Sequence, residues 1–392
     1  MRLRQRLGAA AILACAVWPS TPPAPGAGDL PVRSEHEPLL RQLREVHGLS
    51  EASLDRIREI FGGSDYIGQG NPALTRHPET SAACRDRLAR EGIDHDDPQR
   101  RKICGARYMA PLYDPASEQP ADARACIDQF EFPDIPCAYP VVWVRAREAA
   151  LLCEAVGKRL CDAHEWEGAC AGRLGPPDYR FDLAEGRTPE EAIRAMRSAH
   201  NRVEEPRKSW SYGPQYRKGA CAAASEKSAG CDGGGFGRCG SNTYPAGSFP
   251  DCRSALGVYD LHGNAAEHMS LPLKREQMSS AGSRELGHTE MKGSWFIFDR
   301  YYAHEDWCRW RAPYWHGSRV MDAHSHHNYH LGFRCCKTIA QDAAAERRGR
   351  GNPPRPPQVV DPAWLEPGAV PPGHSSVGHV TDASTEEDAA NR

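Results

Sequence analysis

The sequence predicts an α+β fold of short strands, long irregular loops and several disulfides. Three observations lead there. The chain carries fifteen cysteines, at positions 15, 84, 104, 126, 137, 153, 161, 170, 221, 231, 239, 252, 308, 335 and 336. Free thiols at that density are a hazard in an oxidising space, and disulfides are rarely maintained in the cytosol. Paired CxxC knuckles at zinc-finger spacing are absent, so a disulfide framework in an exported protein is the reading. Second, residues 64–340 are rich in glycine and offer only short strand-like runs such as "YPVVWV". Third, two amphipathic segments interrupt this stretch, "REAALLCEAVGK" and "DAHEWEGACAG", the second with Asp162 as N-cap and Glu165 at the capping-box position.

The 392 residues allow a sizeable core, and the formal charge of -3 is well mixed, which predicts no nucleic-acid partner. "MRLRQR" followed by the twelve-residue apolar run "LGAAAILACAVW" has the form of a signal segment, too short to span a bilayer, and is assigned to residues 1–20. Ile12-Leu13-Ala14-Cys15 resembles a lipobox, so Cys15 is a lipidation site that would tether the protein to a membrane. A secretory signal cleaved later, within "PSTPPAPGAG", is the alternative. Either removes Cys15 and leaves fourteen cysteines to pair. The expected location is periplasmic, outer-membrane-tethered or extracellular.

A proline-rich linker, 21–36, precedes a helical pair over 37–63, with stripes Leu39, Leu40, Leu43, Val46 and Leu54, Ile57, Ile60, Phe61. Ser50 is placed to cap the second helix, and Gly62-Gly63 ends it. Residues 341–392, rich in Pro, Ala, Glu and Arg, cannot bury enough surface to offset chain entropy and are expected to be a disordered tail.

In "GVYDLHGNAAEHMS", residues 257–270, Gly263-Asn264 supplies a tight turn, and Asn264, Glu267 and neighbouring carbonyls offer oxygen ligands suited to calcium. This segment, with "YPVVWVRAREAALLCEAVGKRLCDAHEWEGACAG", "KGSWF" and "LGFRCC", resembles the formylglycine-generating enzyme (sulfatase-modifying factor) family in four motifs in order over 126–337. The resemblance implies a C-type-lectin-like fold with bound calcium, Asn264 and Glu267 among its ligands, and a disulfide between Cys170 and Cys335. Trp166 and Leu160 are the expected core anchors. The loop around Asp232 is a further calcium candidate. Members that make formylglycine hold copper(I) through two cysteines after "GSW", soft thiolates being what copper(I) needs. Here those positions fall at Ile297 and Tyr302, which makes the chain a divergent member without that catalytic pair.

Two readings of function follow. Some relatives lacking the pair are still enzymes, and nine histidines between His262 and His330, densest at His324, His326, His327 and His330, would suit iron or copper in a non-haem metal-dependent oxidoreductase. Alternatively, Trp295, Trp307, Trp310 and Trp315 with Arg309 and Arg311 would line a wet aromatic groove of a non-catalytic lectin-like module, for a glycan, an exported peptide or a small molecule.

Overall fold

A computed structural model describes residues 36–339, apart from 233 and 313–317. Cys15, the signal segment, nearly all of the linker, Trp315, His316 and the C-terminal tail lie outside the described residues.

Helix α1 (Glu37–His47) starts with proline in its first turn and ends on Gly48 in the left-handed conformation. Helix α2 (Glu51–Gly62) starts at Ser50, whose hydroxyl accepts the Ser53 N–H at 3.2 Å. Their buried leucines, with Ile57 and Phe61, enter the same core as Phe132, Val144, Leu152 and Phe333. Helices α3 (Ser81–Glu91) and α4 (Pro98–Cys104) follow, then β1 (Met109–Leu112), β2 (Ala125–Asp128), α5 (Ala146–Ala155), β3 (Arg159–Leu160) and α6 (Ala163–Ala171). After α7 (Pro189–Glu204) a long irregular stretch leads to β4 (Ala266–Leu271), β5 (His288–Lys292), β6 (Leu331–Phe333) and β7 (Cys335–Thr338).

The strands form two sheets, one ordered β1-β2-β7-β3 and one ordered β5-β4-β6, with β6 parallel to β4. The chain passes from the second sheet to the first at Arg334, the single residue between β6 and β7. Helix α6 packs against β1, β2, β4 and β5 and drives Trp166, fully buried, into the shared core. Its start carries the expected Glu165 contact, the Asp162 N–H donating to the Glu165 carboxylate at 2.9 Å. The Asp162 carboxylate instead accepts from Ser279 and Ser280. Helix α7 has no counterpart in the sequence reading, because Arg197 and His200 stand on its buried face and break the apolar stripe.

All fourteen cysteines in the described residues are paired: 84–137, 104–126, 153–335, 161–336, 170–308, 221–252 and 231–239. The Cys170–Cys335 link implied by the family resemblance is therefore corrected. Consecutive strand residues face opposite sides of a sheet, so Cys335 meets Cys153 of α5 while Cys336 meets Cys161 beside β3. Cys170, at the far end of α6, faces the loop before Trp310, with Cα atoms of Cys170 and Cys308 5.3 Å apart. A framework of this kind belongs to a non-cytoplasmic protein. No helix among the described residues is long and apolar enough to cross a membrane.

Non-reducing peptide mapping should recover Cys153–Cys335 and Cys170–Cys308, and a Cys170–Cys335 peptide would contradict the fold. Because Cys161–Cys336 still closes the long loop, replacing Cys153 and Cys335 by alanine should cost about 3 kcal/mol in the chain-entropy account, read from urea midpoints.

Candidate functional site

The motif residues converge at the centre of the domain. Gly263 and Asn264 both take positive φ, 76° and 54°, and a Cβ on Gly263 would lie 2.6 Å from the Ala222 carbonyl oxygen, so glycine is required there. Asn264 is fully committed: its Oδ1 accepts the Tyr244 N–H at 2.8 Å and its Nδ2 donates to Glu131 at 3.1 Å. Glu267 is the counter-ion of Arg334, which donates to its two oxygens at 2.6 Å each, and it also accepts the Trp166 indole N–H at 3.0 Å. Arg334 further donates to the carbonyls of Asp128, Gln129 and Tyr259.

Three buried carboxylates, Glu131, Asp260 and Glu267, thus face one guanidinium. Burial, reinforced by Asp260 and Glu267, drives the Glu131 carboxyl well above the usual range, and burial pushes Asp260 up to about 7. Asp260 Oδ1 is buried with no hydrogen-bond partner. Asp260 thus has one carboxylate oxygen open to a cation, whereas both Glu267 oxygens are taken by Arg334 and the three carboxylates do not form one metal-sized donor group among the described residues. Asn264, the other ligand expected from sequence, has its carbonyl oxygen turned to the Tyr244 backbone. Asp260 stands inside the quoted motif and was overlooked; Glu131 lies 133 residues from Asn264 and leaves no local signal.

Copper(I) finds no counterpart of its thiolates. Ile297 is 2 % exposed in an apolar cluster with Trp295 and Phe296, Tyr302 is 62 % exposed, and the described cysteines are all in disulfides. The two metal-sized groups that contain sulfur use those disulfide cysteines; the third, Glu167, Asp178 and His200, is held by Arg311, with Lys292 also donating to Glu167.

The histidines of the densest run have differing surroundings. His324 is exposed, His327 stacks on Tyr66 at 4.8 Å, His330 stacks on Trp295 at 4.3 Å, and no metal-sized donor group among the described residues includes these or His326. The residues expected to line an aromatic groove are largely buried. Trp295, Trp307 and Arg311 are core residues, and Arg311 is buried because Glu167 and Asp178 neutralise it. Arg309, half-buried, pairs loosely with Glu204 at 3.8 Å. Asp232 is paired with Lys227.

Beside Ser294, Tyr212, Tyr216, His262, Asp299 and Asp306 line a narrow cleft with no room for a water molecule as it stands. On its floor Ser294 accepts the Gly263 N–H and donates to Asp306, both at 2.9 Å, while the Trp210 indole donates to the other Asp306 oxygen at 2.8 Å. Burial alone would raise the Asp306 carboxyl, but hydrogen bonds from His262, Trp210 and Ser294 override it and hold it low. His262 Nε2 accepts the Ser211 N–H at 3.1 Å, which leaves the ring proton on Nδ1, 3.5 Å from Asp306. Tyr216 donates to Asp299 across the mouth. Burial and the nearby carboxylates raise both Tyr212 and Tyr216, so both phenols stay protonated. The sequence signal was the run "SYGPQYRKG", aromatic and basic residues between glycines.

The family profile described as sulfatase-modifying factor enzyme 1-like domain matches residues 119–339, and the chain belongs to this family. Among solved structures it is similar to PvdO from Pseudomonas aeruginosa at 19 % identity, over 59 % of this chain and 91 % of that one, with a TM-score of 0.27. It is also similar to CarF, at 15 % identity over 68 % of this chain and 85 % of that one, TM-score 0.23. No curated protein matches the chain.

His47, His95, His268 and His288 are each held down to about 4, chiefly by burial. In the unfolded chain they titrate near 6.5, so the native state binds fewer protons between these values. Their contribution is present above pH 6.5 and lost as pH falls toward 4. Raised Glu131 and Asp260 act in the opposite sense, so the test is a difference between variants. From pH 7.5 to pH 4.5 the urea midpoint should change less in the downward sense in His268→Phe than in the wild type, and identical profiles contradict a buried, neutral His268.

Proposed function

We propose that this is an exported member of the family that does not generate formylglycine, keeps a structural calcium at its centre, and binds a ligand in the cleft beside Ser294. One observation carries the reading. At the two positions where the copper thiolates are expected stand Ile297, buried in apolar contacts, and Tyr302, on the surface. Disulfide sulfur cannot replace a thiolate without reduction.

What the rim offers is suited to binding. Tyr216, exposed at 40 %, lines the cleft, and Tyr302, exposed at 62 %, reaches it through Phe298. Aromatic faces beside carboxylates grip a small molecule, a glycan or an exported peptide. The seven disulfides and the cationic-then-apolar N-terminal sequence support export, with Cys15 as a candidate tether. The competing reading, a non-haem iron or copper oxidoreductase, needs three donors free to bind; in the described residues Glu167, Asp178 and His200 are the group without sulfur, and Arg311 and Lys292 already neutralise it.

Incubating the mature protein with a Cys-x-Pro-x-Arg peptide, oxygen, copper and reductant should give no aldehyde by mass spectrometry, beside an authentic enzyme that does. Turnover at a comparable rate overturns the proposal.

For the calcium that the family resemblance implies, Asp260, with its unpartnered carboxylate oxygen, is the candidate ligand at the centre. Calcium at about 100-fold over its Kd should stabilise by roughly 3 kcal/mol and raise Tm by roughly 5 to 10 °C. Asp260→Asn should shrink that shift, and a Tm indifferent to calcium in the chelator-treated protein contradicts the site.

A further inference from the structure

The cleft beside Ser294 is closed by its own chain, and the way it is closed identifies what it takes. The strap from Gly213 to Gly219 is pinned at one end by paired backbone bonds between Gly213 and Trp210, at 2.7 and 3.0 Å. At the other end the Gly219 N–H donates to Asp299 at 2.9 Å. Every residue from Pro214 to Gly219 is exposed, and both bounding glycines have positive φ. Between these ends the Arg217 N–H donates to the Tyr212 hydroxyl at 3.3 Å, the Tyr216 ring packs on Trp210 and Phe298, and two further contacts are polar. The Tyr216 hydroxyl donates to Asp299, and the Arg217 guanidinium stands 4.9 Å over the Tyr212 ring.

We infer that the Gly213–Gly219 strap is a lid over a binding site for an organic cation, an alkylammonium or guanidinium group. The inference rests on reading this cleft as the ligand site and names the chemistry of its ligand. With the lid lifted, Asp299 loses the Tyr216 hydroxyl, Tyr212 loses its cation, and two carboxylates, Asp299 and Asp306, line a space from which Arg217 has gone. The Ser211 N–H occupies His262 Nε2 and its Nδ1 faces Asp306 at 3.5 Å, so Asp299 is the carboxylate left for an entering cation. The other nearby cations already have partners: Arg300 with Glu226, Lys208 with Glu305, Lys227 with Asp232. An entering cation therefore takes the Tyr212 face by cation–π attraction and the Asp299 carboxylate by a charge-assisted hydrogen bond, the two places that Arg217 and Tyr216 hold in the closed lid.

A lid that mimics its ligand also competes with it, which gives the test an unusual sign. Titrations of the mature protein, followed by calorimetry and tryptophan fluorescence, would use n-butylammonium, Nα-acetyl-lysine amide and, as the neutral isostere, n-butanol. Both cations should bind and n-butanol should not; binding by the lysine amide alone also supports the site and assigns the cation to a polypeptide. Tyr216→Phe and Arg217→Ala remove the competing contacts and should tighten cation binding by about 3- to 10-fold. Asp299→Asn should weaken it by about 10-fold or more with Tm unchanged. Failure of every cation to bind, n-butanol binding as well as the amines, or lid variants that leave affinity unaltered overturns the inference. Formylglycine formation is scored separately on the cysteine peptide, and turnover there overturns the underlying reading instead.

Discussion

Everything in this fold is arranged around the Arg334 guanidinium. It stands where the chain leaves one sheet for the other, fully buried, and its donors reach Glu267 on β4, the carbonyls at the end of β2 and the carbonyl of Tyr259. A buried charge is tolerated only when it is paired and its hydrogen bonds are complete, so these segments must all arrive at one point. With short strands and long loops, that requirement does much of the work that extended ladders do in other folds. Removing Arg334 would leave Glu267, Glu131 and Asp260 facing one another without a cation.

The centre and the rim have separate fates. The Gly263–Glu267 segment, α6 and the β6–Arg334–β7 step carry the family's motifs and hold the charge cluster. The segment from Ser294 to Asp306 starts from the same motif and then departs, with Ile297 joining the core and Tyr302 turning to solvent. The scaffold is indifferent to that change because Trp295 and Phe296 still anchor the segment's start and Cys308 its end. The segment holds its place in the core with Ile297 and Tyr302 at these positions.

How much of this the sequence reveals depends on the distance between partners. The α6 cap is legible because Asp162 and Glu165 are three residues apart, and the Gly263-Asn264 turn because its chemistry is local. The Cys335 pairing is not: spacing does not say which face of β7 a cysteine occupies, and one residue changes it from Cys161 to Cys153. Trp295, Trp307 and Arg311 read as a wet groove because the carboxylates that let Arg311 be buried, Glu167 and Asp178, lie 144 and 133 residues away. The histidines suggest a metal by density alone, whereas the fold packs several of them against aromatic rings. Glu131 is invisible for the same reason as the counter-ions of Arg311.

The central claim is that a formylglycine-family scaffold has given up thiolate chemistry at its reaction site. Its most direct test is a thiol count on the denatured, unreduced mature protein, paired with copper(I) uptake by the native form. Expected are no free thiols between Cys84 and Cys336 and no stoichiometric copper(I). Two titratable thiols in that span, lost on stoichiometric binding of copper(I), would contradict it.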